Sequence, residues 1–454
     1  MSDKSRIRLL LGILALTLAG AGAQNIAVGP EDSEAAPRAR KARAPVARDV
    51  DLSQPVYIEP PSQEKSVPAE EDTVGEAGTG PQAPAAALAP NLDLQAETPA
   101  SETEGHEPLL LLGEQVQPGT SARLSWTLNQ RFEGIAVPTP VLVVHGTQPG
   151  PTVCLTAAIH GDEINGIEIV RRVMYDLEAG SLRGTVIGVP IVNLQGFRRG
   201  SRYLADRRDL NRYFPGSEAG SSASRIAWSF FRDVVAKCDA LVDIHTGSLA
   251  RTNLPQLRAD MKVPEVAELT RGFGATSVLH HPGSEGTLRR AAVEAGIPAV
   301  TFETGEPGRL QETKIAHGAK GIQTLLAKLD MTRQVSIWGE PEPVYYESTW
   351  VRADVGGLLF RVVGLGQRVS QGEVLGTITD PITNVRSELK APVDGRVLGM
   401  ALNQVVMPGF AAFRIGIRTA SDELSTPEEP VDDSDDEETS PGDLAGADGE
   451  EENS

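Results

Sequence analysis

A histidine and a carboxylate three residues apart follow an apolar run in Ala157-Ala158-Ile159-His160-Gly161-Asp162-Glu163. A turn or first helical step there aims both side chains at one point, as two ligands of one metal ion require. A catalytic zinc takes three protein ligands and keeps another position open for water, and two histidines with one glutamate are a standard set. Val242-Asp243-Ile244-His245-Thr246-Gly247 offers the third ligand, a histidine at the exit of an apolar stretch. Asp243 is then a candidate to orient that histidine from behind. Alone, His-x-x-Glu is a weak signal, because a lone loop histidine is more often an ordinary surface residue.

Further chemistry-bearing residues fall at similar places. Asn193-Leu194-Gln195-Gly196-Phe197 opens a loop that runs through Arg202-Tyr203 to Asp209-Leu210-Asn211-Arg212. A guanidinium there suits a carboxylate in two-point contact and can stabilise a developing oxyanion. Arg198, Arg199, Arg207 and Arg208 crowd the same loop. Val300-Thr301-Phe302-Glu303-Thr304-Gly305 places one more carboxylate at the end of an apolar run, where activated water needs a base.

The elements that must position these residues alternate. Val141 to His145, Val153 to Ile159, Val186 to Val192, Ala240 to Ile244 and Ala299 to Phe302 read as strands. Gly166 to Glu178, Ser222 to Lys237, Val263 to Phe273 and Thr287 to Ala295 read as helices. Such alternation predicts an α/β domain over 108–333, with a largely buried sheet and functional residues at strand ends. After Trp338 helical periodicity stops, and turns such as Gly356-Gly357 and Pro392-Val393-Asp394-Gly395 break β-favouring runs, predicting a small all-β domain over 338–418. Gly357 to Thr379 followed by Ala391 to Val397 resembles the barrel-sandwich of biotinyl and lipoyl carrier domains. The turn between the halves reads Asp380-Pro381-Ile382-Thr383-Asn384, without the modified lysine of those carriers. A structural or substrate-shaping role is the expectation for this region.

His160-x-x-Glu163, Asp209-Leu210-Asn211-Arg212, Asp243-x-His245 and Glu303-Thr304-Gly305 together resemble the succinylglutamate desuccinylase and aspartoacylase family, relatives of the zinc carboxypeptidases. The resemblance covers roughly residues 108 to 333. It implies a zinc-carboxypeptidase-like mixed sheet flanked by helices, and one zinc ion per chain on His160, Glu163 and His245. Glu303 would take a proton from water and pass it to the leaving amine, while Arg202 would polarise the scissile carbonyl. Asn211 and Arg212 match the pair that holds a substrate carboxylate. The implied reaction is hydrolysis of a carbon–nitrogen amide bond in a small or peptide-like substrate bearing a carboxylate. A carboxypeptidase acting on peptide or peptidoglycan stems, and an envelope binding protein without turnover, are the alternatives.

The two ends of the chain look different. Lys4, Arg6 and Arg8, an apolar run from Leu9 to Leu18 and the small residues Ala21-Gly22-Ala23 have the layout of a cleavable leader over 1–23, predicting a periplasmic or secreted protein without stable membrane insertion. Residues 24–107 are rich in Ala, Pro and Glu and lack a sustained apolar period, so a disordered spacer is expected. Residues 421–454 hold fifteen Asp and Glu and no Lys or Arg. They supply most of the net charge of −20, and a disordered acidic tail follows from that composition. This charge gives no sign of nucleic-acid binding, and nothing in the sequence sets an oligomeric state. Cys154 and Cys238 are the only cysteines, both in apolar stretches, and two buried free thiols are the expectation.

Overall fold

The computed structural model describes residues 106–127, 138–333, 344–345 and 347–417. The leader, the spacer up to residue 105 and the acidic tail lie outside the described residues. A hairpin of β1 (Leu109–Leu111) and β2 (Glu114–Val116) precedes β3 (Thr120–Trp126), β4 (Thr139–His145) and β5 (Gln148–Ala157). Then come α1 (Asn165–Asp176), β6 (Arg183–Val189), α2 (Leu194–Arg199), α3 (Ser222–Asp233), β7 (Ala240–His245) and β8 (Arg251–Ala259). The α/β portion closes with α4 (Pro264–Arg271), β9 (Ser277–His280), α5 (Leu288–Glu294), β10 (Ala299–Gly305) and α6 (Glu312–Lys328).

The centre of the sheet is parallel. β6, β5, β7 and β10 lie side by side in that order, each parallel to the next, with β4 and β3 antiparallel on one flank and β8 antiparallel to β10 on the other. Parallel strands covered on both faces must be apolar on both, and β5 obeys this. Val153, Leu155 and Ala157 enter one core with Ile169, Val170 and Val173 of α1 and Ile322 of α6. Cys154 turns the other way, toward Phe230 of α3 and Ala292 of α5. The spacing of Ile169, Val170 and Val173 is that of one helical face, which is why α1 lies flat on the sheet.

Beyond residue 343 the described elements are all strands: β11 (Val344–Tyr345), β12 (Glu347–Arg352), β13 (Gly357–Arg361), β14 (Arg368–Val369), β15 (Val374–Thr379), β16 (Arg386–Lys390), β17 (Gly395–Ala401), β18 (Gln404–Val406) and β19 (Ala411–Ile417). This region continues the main sheet, because Gly399, Met400 and Ala401 of β17 pair antiparallel with Asn253, Thr252 and Arg251 of β8. A separate sheet, ordered β16-β15-β13-β18, shares a core with it through Leu359, Ile378, Leu389, Val397, Phe413 and Ile415.

One expectation is corrected. Cys154 and Cys238 are not free thiols; they form a disulfide with a Cα–Cα separation of 5.8 Å. β5 and β7 are neighbours in register Val153↔Ala240, so Cys238, just before β7, stands beside Cys154. Sequence alone did not show which strands are adjacent.

Candidate active site

The parallel strands β5, β7 and β10 end on the same side of the sheet, the side where open α/β sheets place their ligands. His160 and Glu163 sit in the turn between β5 and α1, His245 is the last residue of β7, and Glu303 lies beside it on β10 in register Glu303↔His245. Three features hold the turn. Ala158 adopts a left-handed backbone conformation, φ 50°, which swings the chain out of the strand just ahead of His160. Gly161 has no alternative, since a Cβ there would stand 2.1 Å from the backbone of Gly196 and Phe197. Asn165, at the start of α1, donates to the Thr304 carbonyl at 3.1 Å and so ties the turn to the end of β10.

The three expected ligand residues converge. Ligand atoms of His160, Glu163 and His245 all lie within 4.8 Å of one another, and all three side chains are buried. His160 Nδ1 is 2.9 Å from Glu163 Oε1, His245 Nδ1 is 3.0 Å from Glu163 Oε2, and the two Nδ1 atoms are 3.2 Å apart. Behind each ring stands a carboxylate: Asp209 Oδ1 at 3.0 Å from His160 Nε2, and Asp243 Oδ2 at 2.8 Å from His245 Nε2. Each ring thus has a carboxylate at both nitrogens; with a cation held between the Nδ1 atoms, the ring proton of each would sit on Nε2, where Asp209 or Asp243 accepts it. Such a donor set calls for a cation at its centre, and it fits a divalent metal ion.

The surrounding carboxylates also draw protons onto both rings, so protons and a metal ion compete for the same positive charge at this site. Burial opposes the charged form of His245, yet Asp243 and Glu163 outweigh it and raise its pKa well above the ordinary value. For His160, burial and the Arg202 charge lower the pKa, and Asp209 and Glu163 raise it further than that. Burial likewise opposes ionisation of Glu163, and the two histidines overcome it and hold the carboxyl far below its usual range. Negative charge at this point is therefore held ready for a positive partner.

Arg202 is placed by the same loop. Asn193 caps α2 by accepting from Gly196 N at 2.7 Å, and its amide donates to the Arg202 carbonyl, as does Gly161 N. The buried guanidinium donates to Glu163 Oε1 at 3.1 Å and to Asp209 Oδ2 at 3.0 Å. Arg198, Arg199 and Arg207 are exposed and Arg208 is half-buried, which separates Arg202 from its neighbours. His160, Glu163, Arg202, His245 and Glu303 line one cavity.

Asn211 and Arg212 are not among its lining residues. Asn211 Oδ1 accepts from Leu288 N at 2.8 Å, at the start of α5, and Arg212 donates to the Asn211 carbonyl. The Arg212 charge helps keep Asp209 ionised, after burial, which opposes it, and Arg202, which does more.

Five lining residues were absent from the sequence reading: Ser248, just after β7, Arg251, Asn253 and Arg258 of β8, and Trp350 of β12. Asn253 Nδ2 donates to Glu303 Oε2 at 3.0 Å, and Arg258 Nη1 faces Glu303 Oε1 at 3.6 Å. The Trp350 ring centre is 5.3 Å from the guanidinium carbon of Arg251 and 5.4 Å from that of Arg414. Asp209 was visible only as part of a motif, without its contacts to His160 and Arg202.

Residues 149–329 match the succinylglutamate desuccinylase/aspartoacylase catalytic domain. The chain is 30% identical over 258 residues to the N-alpha-acetyl-L-2,4-diaminobutyric acid deacetylase of Halomonas elongata, covering 54% of this chain and 75% of that protein. The chain belongs to the succinylglutamate desuccinylase/aspartoacylase family. Within that family it is 42% identical over 194 residues to a succinylglutamate desuccinylase of Burkholderia orbicola, covering 40% of this chain and 53% of the relative. It therefore spans about half the length of that desuccinylase. A solved family structure, the product-bound ectoine utilization protein EutE (DoeB) of Ruegeria pomeroyi, superposes with a TM-score of 0.60 at 25% identity, over 65% of this chain and 95% of that one. The mixed sheet with flanking helices is thus the family fold, and the family's named members here are deacylases.

Proposed function

We propose that this chain is a zinc-dependent hydrolase that removes the acyl group from an N-acyl amino acid by cleaving its amide bond. The observation that carries the reading is the convergence of His160, Glu163 and His245 in a cavity that Glu303 and Arg202 also line. His160 and His245 would bind through Nδ1 and Glu163 through its carboxylate, one metal ion per chain. Bound there, zinc supplies Lewis acidity toward the scissile carbonyl and makes water a better nucleophile at neutral pH. Glu303, buried and beside this group, accepts the proton of the attacking water and delivers it to the leaving nitrogen. Arg202 keeps its positive charge next to the reacting carbonyl and stabilises the oxygen that becomes negative. Asp209 and Asp243 hold the ligand histidines in the tautomer that binding needs. Family resemblance assigns the substrate carboxylate to Asn211 and Arg212, which would donate to it through Asn211 Nδ2, its Oδ1 being held by Leu288 N, and through the Arg212 guanidinium.

An oxidising compartment outside the cytoplasm is part of the same proposal. The leader-like residues 1–23 support it, as does the Cys154–Cys238 disulfide, a bond that persists in such compartments. Among the described residues no helix is long and apolar enough to cross a membrane.

The test is zinc content and release of free amine from N-acetyl and N-succinyl amino acids and from muropeptides, for wild type and Glu303→Gln. Stoichiometric zinc in both, with amine release lowered by about 10²-fold or more in the variant, is the expected result. Equal turnover by Glu303→Gln overturns the assignment, and cleavage of muropeptides alone moves it to a carboxypeptidase.

A further inference from the structure

We propose that Asn253 positions the Glu303 carboxylate for proton transfer, and that residue 399, in the C-terminal β region, is glycine to leave room for it. The inference rests on Glu303 being the proton carrier of the proposed reaction.

Asn253 and Glu303 are 5% and 6% exposed, so the contact between them is shielded from water. A hydrogen bond from an amide to a buried carboxylate is charge-assisted and stronger than its neutral counterpart. At 3.0 Å it commits Oε2. Oε1 faces Arg258 Nη1 at 3.6 Å and is the oxygen left to take a proton. A carboxylate that must accept a proton and then release it gains from one fixed oxygen, because its free one then points the same way at both moments. Register explains how Asn253 reaches it. β10 has an irregularity between Glu303 and Gly305, and Asn253 pairs with Gly305 just past it.

On its other side Asn253 pairs with Gly399 of β17. A Cβ at 399 would stand 2.7 Å from Asn253 Oδ1, while the next nearest residue is Arg414, with its Cβ at 3.7 Å. Gly399 is not among the positive-φ glycines, so its backbone does not demand glycine. What excludes a side chain there is the Asn253 amide alone. Because that amide is the movable end of a side chain, alanine at 399 turns it away from Glu303 and leaves both backbones in place.

The experiment uses the full-length zinc-loaded protein and two readouts. The first is independent of turnover: in protein labelled at asparagine, solvent exchange of the Asn253 side-chain amide is followed by NMR. It is expected to be slow in wild type and to become fast in Glu303→Ala and in Gly399→Ala; fast exchange in wild type overturns the proposal. The second is kinetic. Asn253→Ala and Gly399→Ala should each lower kcat by about tenfold or more, with KM within about threefold and zinc retained, since the lost interaction orients a group acting in the transition state. The double variant should be no slower than Asn253→Ala, because no amide is left to displace. Wild-type kcat in Asn253→Ala, or losses that multiply in the double variant, overturns it. If Glu303→Gln turns over normally, the proposed function has failed instead, and the amide exchange still decides whether Asn253 holds Glu303.

Discussion

Asp243 and His245, two residues apart on β7, meet through a 2.8 Å contact between Oδ2 and Nε2. Alternate residues of a strand share a face, so the strand that delivers the histidine also delivers the carboxylate behind it. Thr156 of β5 donates to the other Asp243 oxygen at 2.7 Å, which leaves the carboxylate little freedom. A proton on Nε2 is thereby held toward Asp243, and Nδ1 faces Glu163. Asp243→Ala should weaken zinc binding about 10–100-fold, the usual cost of losing such a partner. Competition with a chelator measures it; an unchanged zinc affinity would show that the ring is held by its other contacts.

The ligand set and Glu303 were legible because each stands where an apolar strand stops, and a strand end is visible in sequence. Asp209 was less so, since its contact with His160 spans 49 residues and depends on the path of the Arg202 loop. β8 was missed as a strand. It reads Arg-Thr-Asn-Leu-Pro-Gln-Leu-Arg-Ala, with a proline and five polar side chains, and is a strand because β10, β9 and β17 supply its partners. Asn253, Arg258 and Arg251 were hidden with it. α6 was missed for a related reason: glycines at 318 and 321 weaken the helical signal. Gly318 is there because a Cβ would come within 2.5 Å of Ile169 and 2.7 Å of Phe302, so the packing of α6 on α1 and the sheet selects the residue that lowers its propensity.

The Cys154–Cys238 disulfide closes a sequence separation of 84 residues, which includes α1, β6, α2 and α3. Closing a loop of this length restricts the unfolded chain and stabilises the fold by about 2–4 kcal/mol. The Cys154→Ser/Cys238→Ser double variant should melt several degrees lower, and wild type with reductant should approach it. Coincident melting curves with and without reductant would show that the bond contributes nothing.

His145 gives a pH dependence of stability. Burial lowers its pKa, the contact with the Glu107 carbonyl partly restores it, and the nearby His106 lowers it again. With the folded-state value below 6.5, the unfolded chain takes up a proton first as pH falls. Its contribution to stability is therefore intact above the ordinary histidine pKa and is lost as pH drops from about 7 toward the folded-state value. His145→Gln keeps a polar group near Thr185 without titrating. Between pH 7.5 and 5, as chosen test conditions, denaturant midpoints should fall more steeply for wild type than for the variant; parallel slopes would mean that His145 is not the group responsible.

Trp350 brings the C-terminal β region into the cavity. Guanidinium carbons of Arg251 and Arg414 stand 5.3 and 5.4 Å from its centre, a distance at which a cation is attracted to an indole face. Arg414 is itself fixed by donating to Ser348 Oγ at 3.0 Å, and Arg251 by donating to the Ser248 carbonyl. A wall held this way is expected to limit the size of the group accepted beside Glu303. Trp350→Ala enlarges the cavity without touching a metal ligand. Zinc content should stay the same, while kcat/KM for the preferred acyl amino acid falls about 10-fold or more, as expected when a packed aromatic contact is lost, and the preference for short over long acyl chains narrows. Measuring kcat/KM for acyl chains of increasing length in both proteins separates the possibilities. A uniform loss across all lengths would assign Trp350 to holding Arg251 in place, and a narrowed preference assigns it to selecting the substrate.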